Sequence, residues 1–308
     1  MRLATLSTPY GLRVAAYEPD GLLDLQAAHV LSLRATPATI DRTVERAAIE
    51  LPADLMRFLD AGAPALATAR EALAFGRGLS RGAPPWSAHA TATLGPAVPR
   101  PGKLVILRGN YLKHRVEMAP RLGTSVERPD RPRYFMKPAS AVIGHGESIV
   151  HPALSSDVQH EVELAVVIGR PCRRVVVEHA LEYVAGYTIL LDMTARDLSG
   201  KDDRNKSFDT FAPIGPCLAT PDEVGDPHRL ALSLRVNGAI RQQGSTSALE
   251  FRVEELIAFL SEAMTLLPGD VISTGTPEGV GPVKPGDVIE AEIERIGVLR
   301  CPVVAETA

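Results

Sequence analysis

The stretch HEVELAVVIGR, His160 to Arg170, places two acids, Glu161 and Glu163, two residues apart at the head of an apolar run. On an extended strand, positions i and i+2 face the same side, so the two carboxylates point together. Like charges beside a buried strand repel, and burial raises their pKa values. Two arrangements resolve the conflict. Either both acids face water, each paired with an arginine, or both ligate a hard divalent cation such as Mg2+, Mn2+ or Ca2+, which carboxylate oxygens suit. A third acid, Asp192, ends a second apolar run in YTILLDMTARD, with Arg196 and Asp197 just behind it. Alone it caps the following turn. With Glu161 and Glu163 it makes an oxygen-only site suited to Lewis-acid catalysis on a chelating carbonyl compound. No His/Cys cluster with zinc spacing competes with it.

Three further groups carry chemistry. In GNYLKHRVEM, His114 precedes Glu117 by three residues. On a helical turn the carboxylate orients the imidazole, and the pair is either a surface ion pair or a general base acting on water. GDVISTGTPEGVGPVKPGD surrounds Thr274 and Thr276 with glycines and prolines. Its backbone N–H groups and a Thr hydroxyl either hold a substrate carboxylate or form a structural turn. The spacing is neither that of a P-loop nor of a dinucleotide fingerprint. Lys206, in KSFDTFAPIGP, neutralises an oxyanion or lies paired on the surface.

The elements that must position these residues divide near residue 98. Before it, LATLS and LRVAAYE alternate as short strands, and DRTVERAAIEL and PADLMRFLDAGAPALATAREALAF have helical periodicity. After it the chain is strand-rich: KLVIL, HEVELAVVIG, YTILLDMT, LALSLRVNGAIRQQG, GDVISTG and DVIEAEIE. Asn237 and Gly238 supply the two positive-φ residues of a tight hairpin. Helices are expected in VEHALEYVA, near 177–185, and VEELIAFLSEAMTLL, near 253–267. The expected fold class is α+β, with a small N-terminal α+β domain at 1–98 and a mainly β domain at 99–308.

Composition narrows the partners. A net charge of −4 and scattered Lys and Arg leave no basic surface for nucleic acid or an anionic membrane. No apolar run approaches a bilayer span, and the N-terminus lacks the apolar core of a signal peptide. Three cysteines, far apart and odd in number, fit a reducing compartment. The expectation is a cytoplasmic protein with a small-molecule substrate.

Taken in order, GNYLKHRVEM, HEVELAVVIGR, VAGYTILLDMTARDL, KSFDTFAPIGP, VNGAIRQQGSTS and PGDVISTGTPEGVG resemble the fumarylacetoacetate hydrolase superfamily over roughly residues 101–302. The N-terminal hundred residues resemble the extra module of bacterial-type members. The resemblance implies a β-sandwich roll, usually homodimeric, that binds Mg2+ or Mn2+ through Glu161, Glu163 and Asp192. It implies a lid on which His114 and Glu117 activate water, with Tyr111 beside it. Arg196, Lys206 and Thr276 then hold the carboxylate and oxo groups of the substrate. The implied activity is hydrolytic C–C cleavage of a β-diketo acid such as an acylpyruvate or fumarylpyruvate. Oxaloacetate decarboxylation, or tautomerisation or hydration of a related oxo acid, would use the same enolate chemistry. Three departures stand out: Ser199 where many members have Gln, a short SGKDDRN segment before the lysine, and Arg108–Gly109 in place of Gly–Leu.

Overall fold

The computed structural model describes residues 1–35, 42–123, 125–198 and 203–307, so Ser199 lies outside the described residues. The N-terminal alternating segments form the antiparallel strands β1 (Arg2–Thr8) and β2 (Gly11–Glu18), followed by β3 (Gly21–Asp24). Asp24 then accepts a hydrogen bond from Ala27 N–H and starts α1 (Leu25–Arg34). The periodicity reading passed over α1, whose apolar residues form no clean stripe. Helix α2 (Thr43–Glu50) lies within the first stretch expected to be helical, and α3 (Leu55–Gly76) overlaps the second and runs one residue past it. α3 bends at Gly62, φ 64° and ψ −140°, two residues before Pro64, which lacks the N–H that a continuous helix needs.

The later strands are β4 (Leu104–Arg108), β5 (Arg133–Met136), β6 (Val158–His160), β7 (Val162–Ile168), β8 (Val184–Leu191), β9 (Thr194–Ala195) and β10 (Ala212–Ala219). β11 (Ala231–Val236), β12 (Ala239–Ser245), β13 (Val271–Ser273), β14 (Gly281–Val283), β15 (Val288–Ile293) and β16 (Gly297–Ala305) follow. Helix α4 (Leu112–Leu122) comes after β4, and α5 (Val253–Ala263) after β12. Residues Val177–Tyr183, expected as a helix, form a 3-10 segment that gives way to β8.

One large sheet runs β3-β2-β1-β10-β8-β7-β13-β4-β5, so segments on both sides of residue 98 share it. β1 meets β10 through Arg2 opposite Ala219 and Leu3 opposite Leu218. All seven residues of β7 are buried. Its alternation splits two cores. Val162, Leu164, Val166 and Ile168 face the strands of a second sheet, β12-β11-β15-β16, whereas Ala165 and Val167 share a core with residues of α1 and α3. The result is a sandwich with helices on its outer face. The hairpin between β11 and β12 turns at Asn237 (φ 52°) and Gly238 (φ 78°), as the Asn-Gly pair requires.

HEVELAVVIG does not form one strand. β6 belongs to a small sheet, β9-β6-β14, and β7 to the large one; Glu161 is the junction between them. Its carbonyl accepts from Asp192 N–H at 2.9 Å, so the chain leaves both strands at the same level.

Candidate active site

The junction brings the acids together. Glu161, Glu163 and Asp192 are 4%, 1% and 1% exposed, and a carboxylate oxygen from each lies within 4.8 Å of the others. Period-2 alternation would align Glu161 with Glu163 on one continuous strand. The structure aligns them across a strand break instead, with Val162 opposite Leu191 fixing the position of Asp192.

Each acid has its own partners. Glu163 Oε2 accepts from Ser273 Oγ at 2.6 Å and from Gly275 N–H at 2.8 Å. Gly275 has φ +96°, and a Cβ there would sit 3.0 Å from Asn110 Cβ, so glycine is needed to present that N–H. Lys206 Nζ bridges Glu161 Oε2, at 2.9 Å, and Asp192 Oδ2. Arg196 pairs with Glu161 Oε1 and donates to Gln159 Oε1 at 3.2 Å. Lys137 Nζ lies 2.8 Å from Asp192 Oδ1 and donates to the carbonyls of Met193 (2.9 Å) and Phe211 (2.6 Å).

Burial, then the charges of Asp192 and Glu161, push the Glu163 carboxyl up to about 8. Burial also opposes ionisation of Glu161, but Lys206 and Arg196 outweigh it and hold that carboxyl well below the usual range. Burial brings Lys137 down to about 8 against the pull of Asp192. For Lys206 the same burial is outweighed by Asp192 and Glu161, and its pKa is raised. Among the described residues, Glu163 is thus the acid left without a cation of its own. An all-oxygen set of three converging carboxylates, one of them short of positive charge, fits a hard divalent ion.

The His–Glu pair lies on α4. His114 Nδ1 is 3.4 Å from Glu117 Oε2, and Glu117 also accepts from Gly279 N–H at 3.0 and 3.2 Å. Burial works against the Glu117 charge, but the bonds from His114 and Gly279 prevail and lower its pKa. Asn110 ties down the start of α4: its amide donates to the carbonyls of Phe251 (3.0 Å) and Thr274 (2.9 Å) and accepts from Phe251 N–H at 2.8 Å.

His114, the three acids, Arg196, Lys206 and Thr276 line one cavity of about 440 Å³. Tyr111 and Glu117 are not among the residues that line it. The Tyr111 hydroxyl is buried with no hydrogen-bond partner among the described residues, and burial followed by the Glu163 charge raises its pKa. The glycine-rich segment divides its work. Thr274 Oγ1 donates to Leu164 O at 3.0 Å and is structural, Gly275 N–H serves Glu163, and Thr276 reaches the cavity. Sequence reasoning missed Lys137, Ser273, Asn110 and Gln242. A lone Lys before Pro138 and a Ser inside a short strand carry no spacing signal, because their partners are distant in the chain.

The family pattern described as fumarylacetoacetate (FAA) hydrolase C-terminal matches residues 103–304. The chain belongs to the fumarylacetoacetate hydrolase family. It is similar to the rat protein named oxaloacetate tautomerase Fahd2a, mitochondrial, at 39% identity over 81% of this chain and 79% of that one. Among solved structures, the maleylpyruvate hydrolase of Sphingobium sp. SYK-6, in complex with manganese(II) and pyruvate, is 32% identical over the whole of both chains, with a TM-score of 0.76. The 5-carboxymethyl-2-hydroxymuconate delta-isomerase of Mycobacterium smegmatis is 32% identical over both whole chains, with a TM-score of 0.72. The mainly β architecture with helices is therefore the fumarylacetoacetate hydrolase fold, and hydrolases, isomerases and tautomerases share it. Among the described residues no helix is long and apolar enough to cross a membrane.

Proposed function

We propose that this protein is a divalent-metal-dependent hydrolase that cleaves the C–C bond of a β-diketo acid of the acylpyruvate type. The observation that carries the reading is one cavity lined both by the Glu161–Glu163–Asp192 triad and by His114, whose ring is held by Glu117. When bound by the three carboxylates, Mg2+ or Mn2+ supplies Lewis acidity at the 2-oxo-acid end of the substrate.

The chain's own residues do the rest. Glu117, anchored by Gly279, accepts from His114 Nδ1 and leaves Nε2 to take a proton from water. The water oxygen adds to the carbonyl distal to the oxo acid, and the C–C bond joining that carbonyl carbon to the methylene of the pyruvate unit breaks. The electron pair stays with the pyruvate fragment as its enolate, which is then protonated; a carboxylic acid is the other product. Lys206 and Arg196, already at the inner wall, face the oxyanion and carboxylate. Arg108, Arg128 and Arg133 line the outer wall and suit an acyl arm that ends in a second carboxylate, as in a fumarylpyruvate.

His114→Ala should leave Mn2+ binding intact and slow acylpyruvate hydrolysis by roughly 10²-fold or more, the scale of a lost general base. Steady-state kinetics beside calorimetric metal titration check this; an unchanged kcat would remove His114 from the mechanism.

Oxaloacetate tautomerisation is the second reading, favoured by the name of the rat relative. It needs the enolate and a proton moved between carbon and oxygen but no added water, so the wild-type chain would then tautomerise oxaloacetate with Mn2+ and release no pyruvate from an acylpyruvate.

A further inference from the structure

Gln242 lies on β12, is 1% exposed and does not line the cavity. Its side-chain amide joins four groups. Oε1 is 3.1 Å from Val162 N and 3.1 Å from His160 Nδ1. Nε2 is 2.8 Å from Thr276 Oγ1 and 2.9 Å from Pro277 O. Two of these partners have a fixed polarity: a backbone N–H only donates and a carbonyl only accepts. The amide oxygen must therefore face Val162 and the nitrogen Pro277.

That orientation decides the neighbour. Thr276 Oγ1 accepts from Gln242, and its own O–H has no acceptor among the described residues. A buried hydroxyl that already accepts has one proton left to place. Thr276 is 3% exposed and lines the cavity beside the triad.

We propose that Gln242 is a positioning residue that fixes Thr276 as a hydrogen-bond donor into the cavity. The site then selects a ligand bearing an oxygen acceptor there, a carboxylate or an oxo group. The proposal rests on the oxo-acid reading above and extends it to an amide that touches no substrate. The same amide oxygen holds the N–H of Val162, the residue between Glu161 and Glu163. One side chain thus sets both the donor and the segment that carries two acids.

The test uses oxalate, a planar chelating dianion, titrated calorimetrically into the Mn2+-loaded full chain. Thr276→Val should weaken oxalate roughly tenfold, the scale of one hydrogen bond to a charged group. Thr276→Ser, which keeps the hydroxyl, should retain most of the affinity. Gln242→Met should weaken oxalate roughly fivefold when Thr276 is present and by clearly less in the Thr276→Val background, where only the lost bond to Val162 N–H remains. Gln242→Glu, which keeps the shape and the acceptor toward Val162, goes through the same cycle should the Met variant not fold. An equal penalty in both backgrounds, or none with Thr276 intact, overturns the proposal. Wild-type chain that binds Mn2+ but no oxalate overturns instead the oxo-acid reading beneath it.

Discussion

Lys137 shows how much of the site rests on a residue that does not face the substrate. Its ammonium is fully enclosed, next to Asp192 and held by two backbone carbonyls. Removing it leaves Asp192 with Lys206 as its remaining cation and takes the donor from two buried carbonyls. Lys137→Met should therefore cost about 3–5 kcal/mol of stability in metal-free protein. Saturating Mn2+ supplies a replacement counter-charge, so the deficit should shrink when the ion is present. Chemical denaturation with and without Mn2+ reads both numbers, and an equal deficit in the two conditions would contradict the charge argument. The acids were legible in the sequence because a carboxylate within an apolar run demands a reason. Lys137 was not, since a lone lysine beside a proline carries no spacing signal and its partners lie 55 or more residues downstream.

At the scale of elements, the site depends on two junctions. One is the break at Glu161, where the pattern of apolar residues predicts an unbroken strand. Period-2 alternation records which side a residue faces but not which sheet it pairs with. The partners of β6 and β7 differ, and the switch is set by pairing with β14 and β13 far along the chain. The other junction is the start of α4. Asn110→Ala removes three hydrogen bonds to backbone groups of Phe251 and Thr274 and leaves those buried groups unsatisfied. A loss of about 1–3 kcal/mol is expected. Amide exchange in α4 should quicken while exchange in β7 stays slow. Uniform acceleration across both would show that Asn110 serves the whole fold rather than the helix that carries His114.

In the whole molecule, the large sheet runs without interruption from β3 to β5, and the N-terminal strands are part of it. Leu3, Val14 and Ala16 share a core with Ala165, Val167 and Ile214. A chain lacking residues 1–98 would expose the edge of β10 and the apolar face under α1 and α3, and exposed edges and patches of that kind aggregate. Its expected behaviour is loss of a cooperative thermal transition; a soluble truncation melting like the full chain would show the N-terminal segment to be dispensable. Sequence composition separated this segment from the rest because helices replace strands there, yet composition carries no record of which strands hydrogen-bond.

The central claim joins the triad and His114 in one reaction. Its most direct test is pyruvate release from an acylpyruvate, followed with Mn2+ and again after chelation with EDTA. The account predicts stoichiometric pyruvate and carboxylic acid with the ion, no turnover after chelation, and recovery when Mn2+ is restored. Full turnover in the presence of EDTA, or an acylpyruvate that is tautomerised but never cleaved, would contradict it.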